Sequence, residues 1–245
     1  MNKIHSYLVA IVLGCVAQVV SATPTAEYWA MWDVGNDVNT NTIDHGQWDS
    51  MLKRFTVSEP TSGVVDFRYG DIDKDARKEL NNYIRHLEKI DPREYSRLEQ
   101  KAYWMNLYNA LSVQAVLENF DDLKASGFTQ RLDKDVWDKD RIKIAREKLS
   151  LNDIEHRILR PIWKDHRVLF GLNCTTRDCP NLSADAYTAA TIKDQLSSDS
   201  MVNLMDQYYP HHLAHKYKEL DRAVSRREYK EAYLFAQRLG LRLAE

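Results

Sequence analysis

The side chains with the most evident chemistry are the thiols of Cys174 and Cys179, which four residues separate in a short polar segment. Two thiols at this spacing form a disulfide that closes a small loop, or one of them acts as a nucleophile. The chain begins with an apparent export signal, and disulfides persist in oxidising compartments, so we expect a Cys174–Cys179 disulfide. The nucleophile alternative stays open, whereas the spacing is not the C-x-x-C of a redox pair.

A histidine and an arginine could serve such a site. His156 and Arg160 lie one helical turn apart and therefore share one face, where they could bind a carboxylate or phosphate or make ordinary surface contacts. If Cys174 is a nucleophile, His156 and a carboxylate such as Glu99 could lower the pKa of its thiol. Chain order does not exclude this set, because catalytic triads are defined by geometry.

A polar strip runs along one predicted helix. At about 100° per residue, Glu99, Asn106 and Asn109 fall within about 80° of one another on a helix that is otherwise apolar. A buried polar group without a partner costs roughly 1–3 kcal/mol, so these side chains need partners. Two roles stay open for Asn106 and Asn109, namely orienting the neighbouring loops or, together with Arg160, binding a ligand.

No motif predicts a cofactor or a metal site. The histidines His211, His212 and His215 follow a proline without a second cluster of ligands, which is typical of solvated side chains. The chain also has no glycine-rich phosphate loop, no G-x-S-x-G and no H-E-x-x-H. We therefore predict a protein that uses no cofactor and holds no metal.

The longest helical pattern, from Pro92 to about Phe120, must position the polar strip. The sequence Ser96-x-x-Glu99 is a capping box, and apolar side chains surround most of the helix. A helix that is apolar nearly all round is buried at the centre of its domain. We therefore predict that this helix is the core of the fold.

Shorter elements are expected around that helix. The patterns predict further helices, short strands, a helix that Pro161 ends, and a buried strand that delivers Cys174 to its loop. The helices begin near residues 44, 74 and 150, and the strands cover about residues 65–69, 142–144 and 167–174. The predicted fold class is α+β, with helices packed around a small sheet and one central buried helix.

The first residues predict export. Lys3 precedes an apolar run from Tyr7 to Val20, which is too short to span a bilayer comfortably, and cleavage is expected after Ala22. In an alternative interpretation, Cys15 is acylated and tethers the protein to a membrane. We expect a periplasmic or secreted protein with residues 1–22 as signal peptide, 23–43 as an extended segment, 44–210 as one α+β domain and 211–245 as a helical extension.

The composition of the chain restricts the classes of molecule that it is expected to bind. The 34 basic and 36 acidic residues produce no net field that would attract nucleic acid or anionic lipid. After the signal, no apolar run is long enough to cross a membrane, and 44% hydrophobic residues are typical of a folded globular chain. The expected partner is an unknown ligand or protein of the cell envelope.

Three sequence blocks carry a family resemblance, namely residues 102–111, 149–160 and 168–180. With their spacing, the chain from about His45 to Tyr208 resembles the uncharacterised family called domain of unknown function 547. The resemblance implies an α+β domain that is often exported in bacteria and has no assigned activity. It points to the family's polar and thiol positions at Glu99, Asn106, Asn109, His156, Arg160, Cys174 and Cys179. The chain departs from the family at 145–147, where a glycine-containing turn is usual, so this hairpin is expected to differ in shape.

Two classes of function follow from these observations. The first is an exported binding or scaffold domain with a polar cleft beside the Cys-x4-Cys loop. The second is a thiol-dependent hydrolase or acyl-transfer enzyme that acts on peptide or amide bonds. In the second class Cys174 would be the nucleophile, His156 the base and Glu99 the supporting carboxylate.

Overall fold

The computed structural model describes residues 27–58, 65–125, 132, 134–173, 180–195, 201–202, 225–238 and 242–243. Within them, long helices surround short two-stranded sheets, which confirms the predicted α+β class. Cys15, Cys174, Cys179 and the residues 1–22 and 211–215 lie outside this part of the chain. No described helix combines the length and the apolar character needed to cross a bilayer.

The described residues form eight helices and six short strands, besides several 3-10 turns. The helices are α1 (Gly46–Phe55), α2 (Lys74–Glu88), α3 (Arg97–Glu118), α4 (Phe120–Ala125), α5 (Lys134–Asp138), α6 (a π-helical part, Asp153–Leu159, and an α-helical part, Arg160–Trp163), α7 (Ile192–Gln195) and α8 (Arg226–Arg238). The strands are β1 (Thr56–Ser58), β2 (Val65–Phe67), β3 (Ile142–Ile144), β4 (Glu147–Leu149), β5 (Met201–Val202) and β6 (Arg242–Leu243). The pairs β1–β2 and β3–β4 are antiparallel, and β5–β6 is parallel.

Helix α3 is the centre of the molecule. It begins after Ser96, whose Oγ accepts the backbone N–H of Glu99 at 3.4 Å. Every residue from Glu99 to Val113 is buried, with α2 on one side and α6 on another. The prediction of a central buried helix is confirmed, because a surface with almost no polar side must be covered all round.

The segment ahead of α1 packs across α3. Trp32 is buried, and its ring meets that of Trp104 edge to face, with 5.1 Å between centroids. Edge-to-face aromatic pairs contribute roughly 0.5–1.5 kcal/mol beyond the area that they bury. Except for one 3-10 turn at Ala30–Trp32, residues 27–43 are irregular, so side-chain packing and hydrogen bonds to α3 and α6 hold this segment in place.

Helix α6 continues past Pro161, so the prediction that this proline ends the helix is wrong. A proline has no N–H for the carbonyl four residues earlier and would clash with it in a regular α-helix. Here the preceding turns are π-helical, and the carbonyl of Arg157 accepts the backbone N–H of Trp29 at 3.0 Å. The wider π turns accommodate the ring, and Trp29 supplies a donor that the proline lacks.

The predicted buried strand at residues 167–174 is also wrong. Residues His166–Gly171 form a 3-10 helix, and Asp165 caps it by accepting the N–H of Arg167 at 3.1 Å. Val168 is buried, whereas Leu169 and Phe170 are exposed. A short apolar run is equally compatible with a strand and a helix. Here the hydrogen bond from Arg167 to the side chain of Asp165 stabilises the start of the helix.

The β3–β4 hairpin forms without a glycine. Ile142 pairs with Leu149 and Ile144 with Glu147, and the two residues between the strands, Ala145 and Arg146, have φ of 47° and 74°. Two-residue hairpin turns with two positive φ angles match the strand twist and usually contain Asn-Gly. Side chains in this region cost roughly 1–2 kcal/mol per residue, so this turn carries strain.

Candidate functional site

The polar strip of α3 fixes the loop that leads to Cys174. The side-chain amide of Asn109 donates to the carbonyl of Gly171 at 2.9 Å, and its oxygen accepts the backbone N–H of Asn173 at 2.9 Å. Asn109 is 1% exposed, so both bonds lie away from water. One side chain of the central helix therefore sets the path of the backbone immediately before Cys174.

The same segment is tied to the far side of the cysteine loop. The amide of Asn173 donates to the carbonyl of Pro180 at 2.8 Å, which joins the residues on either side of positions 174–179. The two cysteines lie outside the described residues, so their disulfide stays a prediction. Asn109, Asn173 and Pro180 form a chain of contacts from the core to both ends of the loop; we call it the loop clamp.

Asn106 holds a second loop in the same way. Its amide donates to the carbonyl of Tyr187 at 2.7 Å and its oxygen accepts the N–H of Tyr187 at 2.9 Å. Asn106 has no exposed surface, and Tyr187 is buried as well. Of the two roles left open by the sequence, the structure shows loop orientation for both amides. Ligand binding by Asn106 and Asn109 stays a prediction, and it would need a ligand to reach buried atoms.

His156 is paired with Arg160, as their spacing predicts. The Nδ1 atom of His156 accepts a hydrogen bond from Nη1 of Arg160 at 2.7 Å, since a guanidinium can only donate. Burial lowers the pKa of His156; the positive charge of Arg160 lowers it further, and the negative charge of Glu155 opposes both effects. The ring is therefore neutral at pH 7 and carries its proton on Nε2.

The carboxylate next to His156 is that of Glu155, which the sequence analysis did not single out. One oxygen of Glu155 lies 3.8 Å from Nδ1 of His156, and the other accepts the hydroxyl of Tyr108 at 3.0 Å. Burial, followed by the charge of Glu155, raises the pKa of Tyr108. Glu155 directly precedes His156 in the sequence, and that adjacency was the available signal.

Glu99 has a different environment. Its carboxylate accepts the backbone N–H of Ile43 at 3.1 Å and thereby holds the segment ahead of α1. At about 100° per residue, Glu99 and Tyr108 lie about 180° apart on α3, and Tyr108 is the residue that contacts Glu155. The structure thus brings Glu155 rather than Glu99 to His156, and it shows a positioning contact for Glu99.

A buried ion pair supports the turn before the loop clamp. Nζ of Lys101 lies 2.8 Å from Asp165, which also accepts two hydrogen bonds from the guanidinium of Arg167, both at 2.9 Å. These bonds, first those from Arg167 and then that from Lys101, hold the pKa of Asp165 well below its usual range. The sequence pattern missed Lys101 because a lysine on a central helix is expected to reach solvent.

The described residues contain no group of three or more histidine, cysteine, aspartate or glutamate side chains placed to bind a metal. The histidines at 211, 212 and 215 lie outside this part of the chain. Within it, the guanidinium of Arg160 and Nε2 of His156 are hydrogen-bond donors that could contact a ligand.

The fold and the site define an α+β domain with a buried central helix. Two asparagines of this helix hold two loops, and α6, which carries the neutral His156, packs against it. Residues 92–201 of the chain match the family model described as "Protein of unknown function, DUF547". The matched range contains α3, α6 and the cysteine loop, so the resemblance is confirmed there; the expected range, from His45 to Tyr208, was wider. Searches of curated proteins and of solved structures found no match.

Proposed function

We propose that the protein is an exported binding domain of the cell envelope whose ligand contacts the 174–179 loop together with His156 and Arg160. The observation that carries this proposal is the loop clamp, since Asn109 and Asn173 fix both ends of the loop to the core. Rigid scaffolds that hold exposed loops are common binding sites, because little entropy is lost when the ligand binds.

The protonation of His156 supports binding of an acceptor group. With Nδ1 occupied by Arg160, the neutral ring offers an N–H at Nε2, and Arg160 offers further donors on the same helical face. Guanidinium groups pair well with carboxylates and phosphates. The ligand of this proposal therefore carries an anionic group.

An anion titration tests this proposal. Acetate and inorganic phosphate are added to the full chain while NMR follows the ring signals of His156. We expect saturable shifts that Arg160→Met abolishes and that Arg227→Met, on the exposed face of α8, leaves intact. Shifts that persist unchanged in Arg160→Met would contradict the role of this pair.

Peptide mapping under non-reducing conditions tests the loop and the export. In protein recovered from the envelope, we expect a Cys174–Cys179 cross-linked peptide and a chain that begins at Thr23. Two thiols that alkylate freely would contradict the disulfide, and an acylated Cys15 as the first residue would establish the lipid-anchored alternative.

The second candidate function is a thiol-dependent hydrolase or acyl-transfer enzyme, and the neutral state of His156 favours it. His156 would take the proton of Cys174, the thiolate would attack an amide or ester carbonyl, and the protonated leaving group would depart before water or another acceptor releases the acyl group. The bond from Arg160 to Nδ1 opposes this role, because Nε2 then already carries a proton.

Separate replacement of the two cysteines distinguishes the candidates. If the pair is a structural disulfide, Cys174→Ser and Cys179→Ser lose the same amount of stability and keep the anion response alike. A folded Cys174→Ser variant that lacks hydrolysis of a thioester or peptide substrate, beside an active Cys179→Ser variant, would establish the nucleophile instead.

A further inference from the structure

A groove lies on a different part of the molecule, between the start of α1 and the second half of α2. It has a volume of about 320 Å³ and is lined by Asp44, Gln47, Asn82, Tyr83 and His86. Small-molecule sites usually measure about 300–1,000 Å³, so the groove suits a small ligand. All five residues lie outside the matched range 92–201, so nothing in the family match accounts for this surface.

The hydrogen-bonding groups of the groove are mostly unengaged within the described part of the chain. Gln47 and His86 make no side-chain hydrogen bond there, and both are exposed. Asn82 uses its oxygen to accept from Arg85 at 2.5 Å, which leaves its two N–H donors available. Asp44 uses one oxygen for the N–H of Gly46 at 2.8 Å and keeps the other.

A buried polar pair adjoins the groove through its lining residue Tyr83. Nδ1 of His45 is 2.7 Å from the hydroxyl of Tyr83, and Nε2 of His45 is buried without a partner in the described structure. The Tyr83 hydroxyl can donate to His45 or accept from it, depending on the tautomer of the ring.

We infer that this groove binds a small, uncharged polyhydroxylated ligand of the size of a monosaccharide. The lining alternates donors and acceptors on two amides, an imidazole, a phenol and one carboxylate, and a hydroxyl group both donates and accepts. An anion would meet the charge of Asp44, and an apolar molecule would leave these polar groups desolvated without partners. A cation would have only Asp44 for a counter-charge.

Binding is tested on the full chain with four probes: glucose, N-acetylglucosamine, ethylammonium and inorganic phosphate. NMR follows the side-chain amides of Gln47 and Asn82 and the ring of His45. We expect saturable shifts with at least one sugar, including a shift at His45, because its ring is hydrogen-bonded to the lining residue Tyr83. A response to ethylammonium or phosphate alone, or no saturation by any probe, would overturn the inference.

Matched variants locate the site. Gln47→Ala and Asn82→Ala should each weaken sugar binding at least tenfold without changing the melting temperature, because Gln47 is exposed, Asn82 is half-buried and neither belongs to the core. Asn81→Ala is the control: Asn81 is the exposed neighbour on α2, outside the groove, and accepts from Gln114 at 2.8 Å. Equal weakening in all three variants, or no weakening in the first two, would contradict the placement of the ligand in this groove.

Discussion

The two polar regions of the molecule differ in what their side chains do. Along α3, Asn106 and Asn109 are buried and each uses both ends of its amide on backbone groups of a loop. At the α1–α2 groove, Gln47 and Asn82 keep donors directed to no other described group. Side-chain amides therefore hold loops in place in one region and keep hydrogen-bond donors free for a ligand in the other. The difference is that the α3 amides are buried and fully paired, whereas the groove amides are not.

The largest expected effect comes from breaking the loop clamp. Asn109→Ala leaves the carbonyl of Gly171 and the N–H of Asn173 without partners, and each loss costs about 1–3 kcal/mol. We expect the free energy of unfolding to fall by about 2–5 kcal/mol in urea titrations. Asn109→Asp keeps an acceptor for Asn173 but places a buried carboxylate against the carbonyl of Gly171, so at neutral pH it should lose at least as much stability as Asn109→Ala.

The contrast between the two regions would be wrong if removing an exposed amide cost as much stability as removing a buried one. Asn81→Ala removes an exposed amide from α2 and should change the free energy of unfolding by less than about 0.5 kcal/mol. A similar loss in Asn109→Ala and Asn81→Ala would show that the loop clamp contributes no more than an ordinary surface bond.

The next effect concerns acid stability in the region of the groove. Burial lowers the pKa of His45 from 6.5 to about 4, so its neutral form stabilises the fold fully above about pH 6.5. As the pH falls toward 4 the unfolded chain gains a proton that the folded chain resists, and roughly 3 kcal/mol is lost at about 1.4 kcal/mol per pKa unit. His45→Gln should show a correspondingly smaller loss between pH 7 and pH 4.

Other groups titrate in this range, so the difference between variants is the measured quantity. Asn81→Ala removes no titratable group and should retain the full pH dependence of the unmodified protein. If His45→Gln and the unmodified protein lose stability in parallel between pH 7 and pH 4, His45 is not held neutral by the fold.

A smaller effect is expected at the His156–Arg160 pair. Arg160→Met removes a nearby positive charge, so the pKa of His156 should rise toward its ordinary value. Glu155→Gln removes the opposing negative charge and should lower the pKa further. NMR titration of the ring measures both, and shifts in the same direction would contradict the electrostatic arrangement described here.

The smallest effect is a gain in stability at the β3–β4 turn. Ala145 and Arg146 hold positive φ angles that asparagine and glycine adopt more readily. The double variant Ala145→Asn/Arg146→Gly should raise the free energy of unfolding by about 1–2 kcal/mol, measured from the melting temperature. Arg146→Ala relieves no strain and should have little effect.

The sequence predicted the elements whose pattern is long and unambiguous. Helix α3 was evident because nearly its whole circumference is apolar and Ser96 with Glu99 marks its start. The strand predicted at 167–174 is wrong because the five-residue apolar run 168–172 carries no periodicity of its own, whereas the cap at Asp165 favours a helical turn. The helix past Pro161 depends on a donor from Trp29, more than a hundred residues away in the chain.

The candidate site was predicted only in part. The spacing of His156 and Arg160 indicated their contact, because one helical turn is a local relation. The adjacency of Glu155 to His156 was a local signal too, whereas the contacts of Tyr108 with Glu155 and of Lys101 with Asp165, and the groove, depend on how separate elements pack. The sequence predicted that the α3 amides could orient neighbouring loops, but not which backbone groups they bind.

The hydrogen bond from Asn173 to Pro180 has a consequence for redox equilibrium. Residues 173 and 180 are held together by the fold, so the segment between them is already closed before any covalent bond forms. Two thiols in a preclosed segment meet at a higher effective concentration than in a flexible peptide. A Cys174–Cys179 disulfide should therefore have a more negative reduction potential in the folded protein than in the isolated peptide, and reduced protein should reoxidise faster while it stays folded.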